Sequence, residues 1–197
     1  MRSVTLGSCV VASLVIAMLG STGSTDGDAE AAPRRSPACD TPDHRAFDFW
    51  IGDWDVHVRA RQSATGPWGE SVGKQHVEAV LDGCAISESF TADGPGTPWA
   101  GRSYSAWHAP AKKWRQTWVD DQGSYLAFTG GVENGSMTLY GEPRTSKDPK
   151  TAGKTIQMRM VFSKVTPTSL HWEWQQTLDN WKTSTAMMEI EYTRRAR

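Results

Sequence analysis

Short runs of alternating polar and apolar residues, separated by turn signals, constrain the fold of this chain more than any other feature. These runs follow one another at nearly regular spacing from Trp54 onward, with tight-turn residues such as Asp82-Gly83 and Glu133-Asn134-Gly135 between them. No segment has a sustained helical period, so the pattern predicts an all-β fold, an antiparallel up-and-down barrel of about ten strands. The predicted strands are 54–61, 74–82, 85–92, 101–109, 113–120, 123–130, 136–142, 155–164, 169–178 and 182–193.

One segment ahead of the first strand carries helix signals. Asp40 or Thr41 supplies an N-cap side chain and Pro42 stands in the first turn, which predicts a short helix or turn within 40–49. Three connections are longer than tight turns: 62–73, 93–100 and 143–154. The second of them contains Trp99, which either covers a ligand at the mouth of the barrel or packs on its rim.

The N-terminal segment is predicted to stand outside the barrel. The apolar run 4–19 follows a basic residue and precedes small polar residues, which is typical of a secretory signal peptide. We therefore expect a signal peptide over 1–20, with cleavage anywhere up to residue 31, and a flexible leader over 21–38. The rest of the chain, 39–197, is predicted to be a single domain of an exported protein, either periplasmic or secreted.

Composition and charge narrow the class of partner. The chain has 197 residues, 38% hydrophobic and 22% charged, which are ordinary values for a soluble globular protein of one domain. Its net charge of −1 provides no basic surface for phosphates, so a nucleic-acid partner is not expected. The charge balance therefore favours a small neutral ligand or no particular partner.

Two of the three cysteines remain after the predicted signal peptide is removed. Cys9 leaves with that peptide, and Cys39 and Cys84 stay in the exported chain. A pair of cysteines in an exported protein favours one disulfide. The alternatives are a reactive thiol or a metal ligand, and neither cysteine has a second thiol or a histidine at ligand spacing. We therefore predict a disulfide and no metal site.

Period-two alternation assigns the side chains of several strands to the inside of the barrel. The predicted inner residues of the last three strands are Ile156, Met158, Met160, Phe162, Leu170, Trp172, Trp174, Gln176, Ala186, Met188, Ile190 and Tyr192. By the same rule Glu88 lies inside, between Ile86 and Phe90. A buried carboxylate needs a partner or a proton, so Glu88 marks either a functional site or a structural ion pair, for which Arg102 is a candidate.

The orientation of 101–109 is ambiguous, because Arg102, Tyr104 and His108 share one face and Trp107 the other. If Tyr104 points inward, the interior combines indoles with a few polar groups, as small-molecule sites do. The candidate ligand-binding residues are then Glu88, Tyr104, Gln116, Trp118, Trp172 and Trp174. The alternative for the indoles is plain core packing, since the chain has ten tryptophans to bury.

The segment 47–56 reads FDFWIGDWDV. Its Gly-x-Trp sequence resembles the first strand of lipocalin-like (calycin) barrels, in which the indole plugs one end. Together with 82–84 (DGC), 114–120 (WRQTWVD) and Gly130-Gly131, it resembles a family of secreted bacterial proteins that carry a domain of unknown function. The resemblance covers about 39–192. It implies a lipocalin-like barrel with a disulfide, and it supplies no catalytic residues.

These features favour an exported protein that holds a small apolar or aromatic molecule in a tryptophan-rich barrel cavity, without a resident cofactor. The sequence has no Gly-x-Ser-x-Gly elbow, phosphate-binding glycine loop or His-Glu-x-x-His, which weakens the interpretation as an enzyme. It does not exclude an enzyme, because a barrel enzyme can work with one acid and a shaped pocket. One alternative is a barrel enzyme with Glu88 as general acid or base. Another is a haem-binding barrel of the nitrobindin type, in which His108 or His171 would have to reach the iron. The last is a filled barrel without a cavity.

Overall fold

A computed structural model describes residues 35–93, 98–146 and 151–196. They form one short α-helix, α1 (Pro42–Arg45), and three 3-10 turns, Pro37–Cys39, Asp48–Trp50 and Ala109–Ala111. The strands are β1 (Gly52–Ala60), β2 (Gly69–Val80), β3 (Ala85–Asp93), β4 (Trp99–His108), β5 (Lys113–Asp120), β6 (Tyr125–Glu133), β7 (Ser136–Gly141), β8 (Arg144–Thr145), β9 (Thr155–Ser163), β10 (Ser169–Thr177) and β11 (Thr185–Arg194). The predicted signal peptide, 1–20, lies outside the described residues.

Ten of these strands close into a barrel in which every pairing is antiparallel. Consecutive strands pair from β1 to β7, β7 pairs with β9, and β9 to β11 continue the sheet until β11 pairs with β1. The two-residue strand β8 adds to the edge of β9 through Arg144 and Thr145. The predicted all-β up-and-down barrel with a short N-terminal helix is therefore confirmed. None of the helices described is long or apolar enough to cross a membrane.

The strand boundaries differ from the prediction mainly at two places. β2 begins at Gly69 instead of residue 74, and β8 lies inside a connection that was predicted to have no strand. The alternation of polar and apolar side chains is interrupted at residue 73, which is a glycine. A side chain at this position would overlap the backbone of Thr91 on β3. Without a side chain on one face, the sequence pattern does not extend through Gly73, although the backbone continues as a strand.

An aromatic plug closes the end of the barrel where β1 starts. Phe47 stacks on Trp50 with ring centroids 5.0 Å apart and meets Phe162 edge-on at 4.9 Å. Trp54 is fully buried, and its Nε1 donates to the carbonyl oxygen of Trp50 at 2.9 Å. The segment that carries the family resemblance thus forms the closed end.

Gly52 is required for the C-terminal lock on this plug. The guanidinium of Arg194 lies 4.0 Å above the Trp54 ring and donates to the carbonyl oxygens of Ile51 at 2.7 Å and Phe49 at 3.0 Å. A Cβ on Gly52, whose φ is +143°, would overlap that guanidinium. The Gly-x-Trp sequence therefore joins the first and last strands at this end.

The segment before the plug is tied down more tightly than the sequence predicts. Cys39 and Cys84 form a disulfide with a Cα–Cα distance of 5.0 Å. Arg35 pairs with Asp48 at 2.7 Å, and the amide of Ser36 donates to the turn after β2. Residues 35–38 of the predicted leader, 21–38, are thus in contact with the barrel domain, and the other leader residues lie outside the described part of the chain.

Gly130 and Gly131 on β6 give a matched test of how closely the strands approach. A Cβ on Gly130 would overlap the carbonyl oxygen of Thr138 and the Cα of Leu139 on β7, whereas a Cβ on Gly131 would meet nothing within 4 Å. We expect Gly130→Ala to lower the free energy of unfolding by about 2 kcal/mol, and Gly131→Ala to change it by less than about 0.5 kcal/mol. Urea denaturation of both variants measures this, and equal losses would contradict it.

Candidate functional site

The barrel encloses a cavity of about 280 Å³. It extends from Trp50 in the plug to Gln62, an exposed residue just after β1, so it reaches the surface at the open end. Its lining is mainly aromatic and aliphatic: Trp50, Ala60, Arg61, Gln62, Glu88, Phe90, Trp99, Gln116, Trp118, Asp120, Leu126, Phe128, Met160, Phe162, Trp172, Trp174, Met187, Met188, Ile190 and Tyr192. The alternative of a filled barrel does not agree with this geometry.

Glu88 lies on the inner side of β3 and is 6% exposed. The hydroxyl of Ser103, its register partner on β4, donates a short hydrogen bond to Oε2. Burial raises the pKa of Glu88 to about 7, against the opposing effects of the Ser103 hydrogen bond and the charge of Arg102. Near neutral pH the carboxyl group is therefore present in both protonation states.

Arg102 does not form the structural ion pair that was one interpretation of Glu88. Its side chain lies on the outer face of β4, is exposed, and donates to the carbonyl oxygen of Gly101 at 3.0 Å. Its positive charge acts on Glu88 through long-range electrostatic attraction, without an ion-pair contact. Glu88 thus has a neutral hydrogen-bond donor and no direct cationic partner among the described residues.

Two further polar pairs stand inside the barrel. Tyr192 on β11 donates to Oε1 of Gln75 at 3.0 Å, and Nε2 of Gln116 donates to the hydroxyl of Ser105 at 2.9 Å. Burial and the nearby charge of Glu88 raise the pKa of Tyr192 well above its ordinary value, so its phenol stays neutral. These pairs leave only a few polar atoms turned toward an otherwise apolar cavity.

Indoles form the wall near the mouth. Trp99 and Trp118 lie with ring centroids 5.6 Å apart, and Trp99 also meets Phe90 at 5.1 Å. Nε1 of Trp118 donates to Asp120 at 3.1 Å, which fixes the ring. A side chain on Gly101 would overlap this ring. Trp99, the first residue of β4, therefore both packs on the rim and lines the cavity.

Five of the six candidate residues line the cavity: Glu88, Gln116, Trp118, Trp172 and Trp174. Tyr104 does not, since it is 61% exposed on the outer face of β4, and its predicted inner position is wrong. The inner face of this strand carries Gly101, Ser103 and Ser105, which are buried. Small residues are needed there because Trp118 and Glu88 occupy the space in front of them. The larger side chains of this strand therefore do not mark its inner face.

The predicted inner position of Ala186 is also wrong, because the neighbouring Met187 lines the cavity in its place. The register between β10 and β11 shifts after Trp174, which pairs with Met188, whereas Gln175 pairs with Ala186. Met187 is left unpaired in this bulge and turns toward the cavity mouth. A bulge changes the period locally, and no alternation pattern reveals it.

Neither candidate histidine reaches the cavity. Nδ1 of His108 accepts from the amide of Ala111 at 3.3 Å in a surface turn. His171 lies on the outer face of β10, between Glu191 at 2.6 Å and Glu173 at 3.0 Å. The described residues therefore do not fit a histidine-ligated haem in the barrel. They also contain no cluster of three or more side chains suited to a metal ion.

Comparison with known proteins supports the fold assignment. The chain is similar to Rv2717c from M. tuberculosis (TM-score 0.54, 10% identity, covering 79% of this chain and 99% of that one). It is also similar to the S-type phycobiliprotein lyase CPES from Guillardia theta (TM-score 0.50, 11% identity, covering 77% and 91%). No curated protein matches significantly. A family model described as "Protein of unknown function (DUF1579)" matches residues 40–194, and the chain therefore belongs to this family.

Proposed function

We propose that this protein is exported and binds a small, mostly apolar or aromatic molecule inside the barrel, with its polar group beside Glu88. The observation that carries the proposal is a cavity that opens at one end and combines aromatic walls with one buried carboxyl group. Apolar concave sites with few, directed polar groups are typical of small-molecule binding. The Cys39–Cys84 disulfide supports export, because such bonds persist in oxidising compartments.

A neutral fluorescent probe, N-phenyl-1-naphthylamine, tests the proposal directly. Its emission is expected to rise when it enters the cavity. Trp118→Ala removes an aromatic wall and is expected to weaken probe affinity about tenfold. The control is Trp181→Ala, because Trp181 packs on Arg159 at 4.3 Å outside the cavity lining and its loss is expected to leave affinity unchanged. Absence of probe binding, or equal losses in both variants, would contradict binding in the barrel.

Native mass spectrometry of protein purified from its own host addresses the natural ligand. An added mass that is lost on denaturation is expected if the ligand stays bound. Its identity then follows from chemical analysis of the released molecule.

One observation favours a second candidate, an enzyme that acts on a similar molecule. With a pKa raised to about 7, Glu88 can both accept and donate a proton near neutral pH, which general acid–base catalysis requires. This alternative predicts turnover of the bound molecule by the wild type. It also predicts that Glu88→Gln abolishes turnover and retains binding of the neutral probe.

A further inference from the structure

We propose that the ligand carries a protonated amine, which pairs with ionised Glu88 inside the barrel. The inference rests on the proposed binding function and specifies the chemical class of the ligand. Three features of the cavity support it: the contacts of Glu88, the lack of a competing cation among the described lining residues, and the aromatic walls.

One carboxylate oxygen of Glu88 is available to a ligand. Oε2 accepts from the hydroxyl of Ser103, and no described residue hydrogen-bonds to Oε1. The side chain of Glu88 is buried in the protein and lines the cavity. An ionised carboxylate in such a place is stabilised chiefly by an opposite charge, and an ammonium group supplies both that charge and N–H donors.

The protein itself places no free cation in the described lining of the cavity. Arg61, the basic residue among the described lining residues, stands at the mouth. Its Nε and Nη2 donate to the carbonyl oxygen of Ala186 at 2.8 and 2.6 Å, and the guanidinium lies 4.5 Å from the centre of the Trp68 ring. With these contacts Arg61 is held at the rim, and a cation beside Glu88 has to come from the ligand.

The surroundings of Glu88 also suit a cation. Trp50 and Trp172 line the same cavity, and the π faces of indoles attract ammonium groups. Gln116 lines it too, and since its Nε2 is engaged by Ser105, its carbonyl oxygen is left as a second acceptor. The indole N–H of Trp50, which interacts only weakly with the Tyr192 hydroxyl, and the unpartnered Nε2 of the buried Gln75 favour a neutral acceptor instead.

The other groups near Glu88 are neutral or lie on the outer face of the sheet. They are Tyr192 on β11, which burial keeps neutral, Ser103 on β4, Val77 on β2, and the outer-face cation Arg102. Asp120 and Arg61 stand at the mouth. Burial raises the pKa of Asp120, but hydrogen bonds from the amides of Ser124 and Gln122 and from the Trp118 indole outweigh burial and lower it. A pH dependence of binding between pH 5 and 8 therefore reports on Glu88.

The expected pH dependence follows from the protonation state of Glu88. An alkylamine stays protonated below about pH 9. Because Glu88 titrates at about 7, its ionised fraction falls to about 1% at pH 5, and amine affinity is expected to drop about 100-fold from pH 8 to pH 5. A neutral ligand of the same shape is not expected to lose affinity on acidification.

The test uses 2-phenylethylamine and 2-phenylethanol, which differ only in the amine and the hydroxyl group. Binding is measured by calorimetry across this pH range in the wild type and in Glu88→Gln. At pH 8 the wild type is expected to bind the amine at least about tenfold more tightly than the alcohol. This preference should vanish at pH 5 and in Glu88→Gln, and the wild-type pH series requires no variant to fold.

The outcomes separate this inference from the proposed function. A preference for the alcohol, or an amine affinity that does not change with pH, overturns the amine inference while binding in the barrel stands. Loss of both phenyl compounds with retained binding of N-phenyl-1-naphthylamine also overturns the amine inference alone. If none of the three compounds binds, both the inference and the proposed function are wrong.

Discussion

Replacement of both Cys39 and Cys84 by serine is expected to lower the free energy of unfolding by about 4 kcal/mol. The disulfide joins residues separated by 45 positions, and in the chain-entropy model this restricts the unfolded chain much more than the folded barrel. A loss of this size is a large part of the 5–15 kcal/mol typical of a folded domain. The effect is therefore the largest that we expect from a change outside the cavity.

Urea denaturation of the oxidised wild type, the reduced wild type and the double serine variant measures this effect. Reduction should shift the wild-type midpoint to lower urea and leave the variant unchanged, since the variant has no disulfide to break. The Arg35–Asp48 ion pair and the Ser36–Asp82 backbone hydrogen bond are retained in all three samples, so the barrel should still fold. Equal midpoints for oxidised and reduced wild type would contradict the prediction.

The barrel could be predicted from the sequence because its signals are local. Turns such as Asp82-Gly83 and Glu133-Asn134-Gly135 set the strand ends, and alternation within each strand sets the faces of β3, β9, β10 and most of β11. The prediction failed where a local signal is absent. Gly73 interrupts the pattern of β2, and the two residues of β8 are too few to show a period.

The candidate site was predicted less completely, because a cavity depends on what several strands leave empty together. On β4 the sequence suggested the large Tyr104 as an inner residue, but the structure requires small ones there: Gly101 accommodates the ring of Trp118, and Ser103 faces Glu88. Such compensation between neighbouring strands has no signature within one strand. The inner position of Glu88 was predicted correctly because Ile86 and Phe90 flank it on the same strand.

Glu88→Gln is expected to stabilise the protein by up to about 3 kcal/mol near pH 8 and to leave its stability nearly unchanged near pH 4. Burial raises the pKa of Glu88 from an ordinary value of 4.5 to about 7 in the folded state. Below 4.5 the carboxyl group is protonated whether the chain is folded or not, so the substitution has little effect. Between 4.5 and 7 the unfolded chain ionises first, and wild-type stability falls relative to the variant as pH rises.

Thermal denaturation of both proteins over this pH range, without ligand, measures the difference, and Glu173→Gln is the control. Burial raises the pKa of Glu173, but hydrogen bonds from His171 and Gln175 outweigh burial and lower it. Neutralising Glu173 should therefore destabilise the protein at neutral pH. A Glu88→Gln variant no more stable than wild type near pH 8 would contradict the buried, unpaired carboxylate. If the variant is more stable but loses amine binding, the carboxylate lowers the stability of the empty barrel and is used only when a cation enters.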